Sequence, residues 1–246
     1  MNKVINGRNA NKKKAAALFI SQVAAGVMPV ILLIVFVSMQ LYQNLVVAIV
    51  FILLIFSCNI AYTVLGRRYN VLSSGVRGEK RLYRAVKRLN GNNIIFRNLP
   101  VRYKRGRSEL DLLIISHSGV IIVEVKNHSG TIIGSWKSDK WIQRKYYRDG
   151  KSTQQEMENP IKQMRRQRDI VKSILSAAGE DVWIDTVLFF SSPNARLRLN
   201  LRENDYVCAS EAELIGFLGE YHGGEVLSMS RMKKIADIVR QASGNI

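Results

Sequence analysis

Residues 15–66 contain no Lys, Arg, Asp or Glu, and an uncharged run of that length is far too long for one buried helix of a soluble core. A helix rises about 1.5 Å per residue, so roughly 20 apolar residues cross the ~30 Å hydrocarbon layer of a bilayer, and the run has room for two such spans. We expect them at residues 15–37 and 45–65, joined by a polar turn, residues 38–44, that holds Gln40, Gln43 and Asn44. Pro29 falls inside the first span, where a lipid-embedded helix tolerates it and a kink is expected. A cleavable leader fits less well. Lys12, Lys13 and Lys14 precede the run, but it is too long, lacks a small-x-small site and is followed at once by a second span. Basic residues near span ends stay cytoplasmic; Lys3, Arg8 and the three lysines precede the first span, and Arg67, Arg68 and Arg77 follow the second. Both ends are therefore expected in the cytoplasm, as in a multi-pass protein of the cell (inner) membrane, with only the uncharged turn reaching the other side.

Charge constrains the remainder. All 19 acidic residues and 32 of the 37 Lys and Arg lie beyond residue 65. An excess of positive charge on a small domain predicts an anionic partner, nucleic acid or the adjacent lipid surface. Cys58 lies in the second span and Cys208 in the soluble part, which excludes a disulfide framework, and no Cys/His cluster suggests zinc. Asn127-His128-Ser129 matches a glycosylation sequon, a chance match on the cytoplasmic side.

The chain divides into a basic N-terminus (1–14), two spans (15–37 and 45–65), a linker (66–78) containing the breakers Ser73, Ser74, Gly75 and Gly78, a domain (79–220) and a C-terminal helix (221–246). Within the domain, Leu82, Val86 and Leu89 repeat at helical spacing from Glu79 to about residue 90, with Arg81, Arg84, Lys87 and Arg88 mostly off that stripe. Strands are expected at 94–99, 110–116, 120–126, 131–136, 140–147 and 182–190. Asn159 and Pro160 open a helix to about 178, Ser210 and Glu213 form a capping box, and a last helix covers about 228–241. The order reads as an α/β domain with a mixed sheet.

Chemistry concentrates between residues 110 and 126, where two apolar strands flank a His117-Ser118-Gly119 turn in the pattern of a β-hairpin. If the turn centres between His117 and Ser118, cross-strand partners sum to 235, which sets Asp111 opposite Glu124, with Lys126 on the same side as Glu124. Two carboxylates and an ammonium on one edge of an apolar hairpin are costly to bury without a purpose. A divalent cation, Mg²⁺ or Mn²⁺, would relieve the repulsion, polarise a phosphodiester and generate hydroxide, with Lys126 placed to position the water or stabilise developing charge. The alternative for Glu124 and Lys126 is a solvated ion pair at a strand end. Glu79 lies on the apolar stripe of its helix, where it either caps the helix start or reaches the same site.

Gly75-x-x-Gly78-Glu79, Asp111, Glu124-Val125-Lys126-Asn127 with Gly130, and Asn159-Pro160-x-x-Gln163 together resemble the NERD (nuclease-related) domain, a relative of the PD-(D/E)XK nucleases. The resemblance covers about residues 75–218, and Val187–Ser191, Val207 and Glu213-Leu214 suit its closing segment. It implies a restriction-endonuclease-like mixed sheet flanked by helices, here preceded by a transmembrane helical hairpin. It also implies that Asp111 and Glu124 are metal ligands, Lys126 the catalytic lysine, Glu79 the helix acid and Gln163 an accessory polar residue. Glu109-Leu110 before Asp111 departs from the family, which often has a polar residue and Ile there.

For the partner, Lys140, Arg144, Lys145 and Arg148 alternate with Trp136, Trp141, Tyr146 and Tyr147, as on surfaces that track a nucleic-acid strand, although the two Trp also suit sheet packing. Arg165, Arg166, Arg168 and Lys172 lie opposite the apolar stripe of their helix, as phosphate contacts or as its wet side. The expected function is a membrane-anchored, Mg²⁺- or Mn²⁺-dependent nuclease acting on nucleic acid, DNA ahead of RNA. The competitors are a non-catalytic nucleic-acid-binding module and a structural membrane protein that binds anionic lipid.

Overall fold

The computed structural model describes residues 2–7, 10–87, 89–147, 149–224 and 226–244; Arg8, Arg88 and Arg148, named above for their charge, lie outside the described residues. The chain divides into two compact units, Asn9–Val76 on the one hand and Met1–Arg8 with Arg77–Ile246 on the other.

The first unit is a helical hairpin. Helix α1 (Ala10–Ser38) contains Pro29, and α2 begins at Leu45 and runs to Val86. Between them Gln40 adopts a left-handed conformation (φ 51°) before one 3-10 turn, Leu41–Gln43. Asn44 then caps α2, its Oδ1 accepting from the amides of Val46 (3.0 Å) and Val47 (3.2 Å). The arms meet where small residues face large ones: a Cβ on Gly26 would lie 3.2 Å from the Tyr62 ring, and the Phe36 and Phe51 rings sit 5.2 Å apart. Both helices are long and apolar enough to cross a membrane, and side chains such as Ile20, Leu45 and Val46 stay exposed.

Residues 66–78, expected as a linker, continue α2 instead, and the helix expected from Glu79 to about residue 90 is its final stretch, ending at Val86. The glycines misled. Each costs about 1 kcal/mol relative to alanine inside a helix, yet Gly78 has a packing purpose: a Cβ there would fall 2.8 Å from Ser191 Oγ and 2.9 Å from Asn127 Cβ.

The second unit is α/β with two sheets rather than one. The larger is mixed, with spatial order β1 (Lys3–Asn6), β2 (Ile94–Tyr103), β3 (Gly106–Ser116), β4 (Gly119–Lys126), β8 (Ile184–Phe190) and β10 (Tyr206–Cys208). The smaller runs β7 (Ser152–Glu158), β6 (Lys140–Tyr146), β5 (Gly130–Ser135) and β9 (Ala195–Asn200). The β3–β4 register pairs Leu112 with Val123 and Ser116 with Gly119, the expected sum of 235. Strands β2–β3 and β3–β4 are antiparallel, whereas β1–β2, β4–β8 and β8–β10 are parallel.

Alternation splits the larger sheet between two cores. Leu113, Ile115, Val120 and Ile122 pack with Ile170, Val171 and Ile174 of α3 (Pro160–Ala177) and with Met232, Ile235 and Val239 of α5 (Met229–Ala242). Leu112, Ile114, Ile121 and Val123 face the other way, toward Leu82, Ala85 and Val86 of α2 and Leu214 of α4 (Glu211–Glu220). The smaller sheet contributes Ile132 and Trp141 to a third cluster with Ile161, Met164 and Phe190. Both expected caps form: Asn159 accepts from the Ile161 amide (2.9 Å), and Ser210 exchanges bonds with Glu213.

Candidate active site

Glu124 is the penultimate ionisable position of β4, pointing to the α3 side of the sheet and only 2% exposed. A buried carboxylate needs several donors, and it has three side chains. Lys126 Nζ lies 2.7 Å from Oε1, Gln163 Nε2 donates to the same oxygen at 2.7 Å, and Gln167 Nε2 donates to Oε2 at 2.8 Å. Gln163 also accepts from Lys126 Nζ (3.0 Å), closing a three-membered ring of contacts. Gln163 and Gln167 sit one helical turn apart on α3, which Asn159 and Pro160 start in the right place.

Asp111 extends from β3 toward the same end of β4. Its Oδ2 accepts from the Val125 amide at 2.8 Å, and its carboxyl is pushed well above the usual carboxylate range, first by burial and then by the charge of Glu124; Lys126 opposes this and Glu79 adds to it. Glu79 comes from α2, across the sheet from α3. It is no helix cap, since α2 begins at Leu45, and its Oε2 accepts from Asn98 Nδ2 at 3.3 Å. Thus Glu79, Asp111, Glu124, Lys126 and Gln163 gather at one end of the larger sheet, where helices from both faces converge.

Two site residues escaped the sequence reading. Gln167 was legible in principle, being four residues after Gln163, and it also donates to the Glu109 carbonyl (3.1 Å) while its buried Oε1 has no hydrogen-bond partner among the described residues. Asn98 gave no signal, because nothing in the sequence announces a left-handed residue (φ 48°) inside a strand.

Among the described residues no group of three or more His, Cys, Asp and Glu side chains is arranged to hold a metal ion. The carboxylates brought to this end of the sheet are Asp111 and Glu124 with Glu79 nearby, and one ammonium, Lys126, offsets them. That hard-oxygen, charge-excess set fits Mg²⁺ or Mn²⁺, which keep several waters, and does not fit zinc.

The residues expected to bind nucleic acid lie on two elements, Lys140, Arg144 and Lys145 on β6 and Arg165 and Arg166 on α3. Lys140 is tied to Glu156 (2.6 Å) and Arg144 to Gln154 (3.2 Å), both on the smaller sheet. Lys145 lines a cavity of about 440 Å³ with Tyr146, Tyr147 and Arg196. Arg165 is occupied by Asp205 (2.7 Å), while Arg166 opens onto a groove of about 660 Å³ shared with Lys104, Arg105 and Lys162. Of the Trp residues, Trp141 is fully buried, as packing predicts, and Trp136 is covered by the Arg202 guanidinium 3.7 Å from its ring centroid.

Residues 74–191 match the family described as NERD, nuclease-related domain. A 71-residue stretch is 34% identical to an uncharacterized protein of Bacillus anthracis, covering 28% of this chain and 34% of that one, so the chain spans about a third of the relative's length. No solved structure matches. Over residues 74–191, which contain Glu79, Asp111, Glu124, Lys126 and Gln163, the chain is a nuclease-related (NERD) domain, and it carries two long apolar N-terminal helices.

Proposed function

We propose that the chain is a membrane-anchored, divalent-metal-dependent nuclease with a restriction-endonuclease-like domain, cleaving phosphodiesters on the cytoplasmic side. The observation that carries this reading is the convergence of Asp111, Glu124 and Lys126, with Gln163 holding the last two in register. A bound Mg²⁺ or Mn²⁺ would polarise the phosphate and lower the pKa of a bound water. Asp111 and Glu124 would hold that ion. Lys126, fixed between Glu124 and Gln163, presents its ammonium where negative charge builds up on the phosphate. Arg166, Lys104, Arg105 and Lys162 contact the sugar-phosphate backbone from the neighbouring groove, and Lys145 does so from the smaller sheet. The exposed apolar side chains of α1 and α2 need lipid to cover them, which supports a hairpin anchor in the cell membrane.

One observation favours a second reading, a module that grips nucleic acid without cutting it: both oxygens of Glu124 are already hydrogen-bonded. Full-length protein in nanodiscs, incubated with single- and double-stranded DNA and RNA and with Mg²⁺, Mn²⁺ or EDTA, separates the possibilities. The nuclease cuts only with metal, and Asp111→Asn, Glu124→Gln and Lys126→Ala each lower the rate by about 10²-fold or more. Salt-sensitive binding with no cleavage supports the second reading. Binding to anionic vesicles alone supports a lipid-binding structural role.

A further inference from the structure

Three non-glycine residues among those described have positive φ; Gln40 and Lys104 lie in turns, but Asn98 lies buried in the middle of β2. The β2–β3 register is the same on either side of it, with Arg97 opposite Leu112 and Leu99 opposite Leu110, but the pairing skips Asn98, which falls level with Asp111. Side-chain alternation, however, breaks in both strands at this level. Phe96 and Leu99 belong to the same core, as do Leu110 and Leu113, although residues three apart on a regular strand face opposite ways. The ribbon therefore turns about its own axis at the Asn98–Asp111 level, which leaves the Asp111 carboxylate reaching for the Val125 amide at the end of β4. The Asn98 amide meanwhile holds Glu79 from the other layer. The backbone there is also clamped from outside. The Gly7 amide donates to the Arg97 carbonyl (2.7 Å), and a Cβ on Gly7 would fall 2.0 Å from the Asn98 carbonyl oxygen, so no other residue fits at position 7.

We propose that Asn98 is a positioning residue of the metal site, its left-handed backbone aiming Asp111 and its side chain fixing Glu79, with Gly7 of the N-terminal segment pressing it into that conformation. This rests on the metal-site reading given above. Strain of this kind persists where surrounding structure enforces it, and such positions cluster at functional sites. Asn98→Gly keeps the backbone conformation and removes the amide. Asn98→Ala removes both, and Gly7→Ala disturbs the backbone without touching any site side chain.

The test measures Mn²⁺ affinity of full-length protein by electron paramagnetic resonance without substrate, beside thermal midpoint and the Mg²⁺ dependence of cleavage. Asn98→Gly should melt near wild type yet bind Mn²⁺ about tenfold more weakly, as loss of a residue that orients a ligand does. Asn98→Ala and Gly7→Ala should lose affinity as well, and cleavage should need correspondingly more Mg²⁺. Wild-type affinity in both Asn98→Gly and Gly7→Ala overturns the proposal. A wild type that binds Mn²⁺ without cutting sinks the nuclease reading but leaves the Asn98 comparison intact, whereas a wild type with no Mn²⁺ affinity overturns both.

Discussion

Asp111 holds its proton more tightly in the fold than in the unfolded chain, because burial and then the Glu124 charge oppose its ionisation. A carboxyl raised in this way favours the folded state at pH below its ordinary value, and the contribution is lost as pH climbs through the raised one. Asp111→Asn should therefore raise the thermal midpoint by a few degrees at neutral pH in EDTA, with the gap closing in acid. Adding Mg²⁺ should stabilise the wild type and not the variant. A gap of equal size at acid and neutral pH would show that Asp111 does not titrate as described. Lys126→Ala should act in the opposite sense, since it strands a nearly buried Glu124, costing roughly 3–5 kcal/mol as uncompensated buried charges do; denaturant unfolding measures it. The approach of Lys126 to Glu124 was legible because the two stand two apart on one strand and so share a face, whereas Asp111, expected directly opposite Glu124, lies just past the last pair of the hairpin, Leu112 with Val123, where alternation changes. Asn98 and the Glu79 contact were not legible, since they depend on backbone torsion and on layers brought together from distant sequence.

At the scale of elements, periodic and capped segments were readable and unpatterned ones were not. The strands from β2 to β6, the α3 start at Asn159 and the α4 capping box fall close to where alternation and capping residues put them. Strand β7, Ser-Thr-Gln-Gln-Glu-Met-Glu, has no apolar alternation, because it lies at an edge and pairs only with β6. β9 does alternate, with Leu197 between Arg196 and Arg198 and Leu199 between Arg198 and Asn200, but only these two leucines carry the pattern. The glycine-rich stretch before Glu79 read as a break because sequence does not distinguish a glycine that ends a helix from one that lets a neighbour approach. Gly134 illustrates the second kind: a Cβ there would lie 2.4 Å from the Trp141 ring, so Gly134→Ala should destabilise the smaller sheet by about 1–3 kcal/mol, the usual cost of overpacking. Loss of Trp141 fluorescence anisotropy and a lower midpoint would register it; an unchanged midpoint would mean the ring has room to shift.

For the whole molecule, the strand ahead of α1 matters most. Lys3–Asn6 pairs in parallel with Ile94–Arg97, so the segments before and after the helical hairpin belong to one sheet. If α1 and α2 cross a bilayer, both ends of the hairpin must lie on the same side. Cysteines placed at residues 3 and 80 should then resist an impermeant thiol reagent applied from outside intact cells, while one at Tyr42, in the turn, should react; labelling at 3 or 80 would reverse the topology. The same pairing couples completion of the larger sheet to passage of both helices. The tetrapeptide leaves the ribosome early but finds its mate only after Ile94 has followed it. A chain in which only one of the two helices crossed would leave β1 and β2 on opposite faces of the bilayer, with the flank of β2 bare.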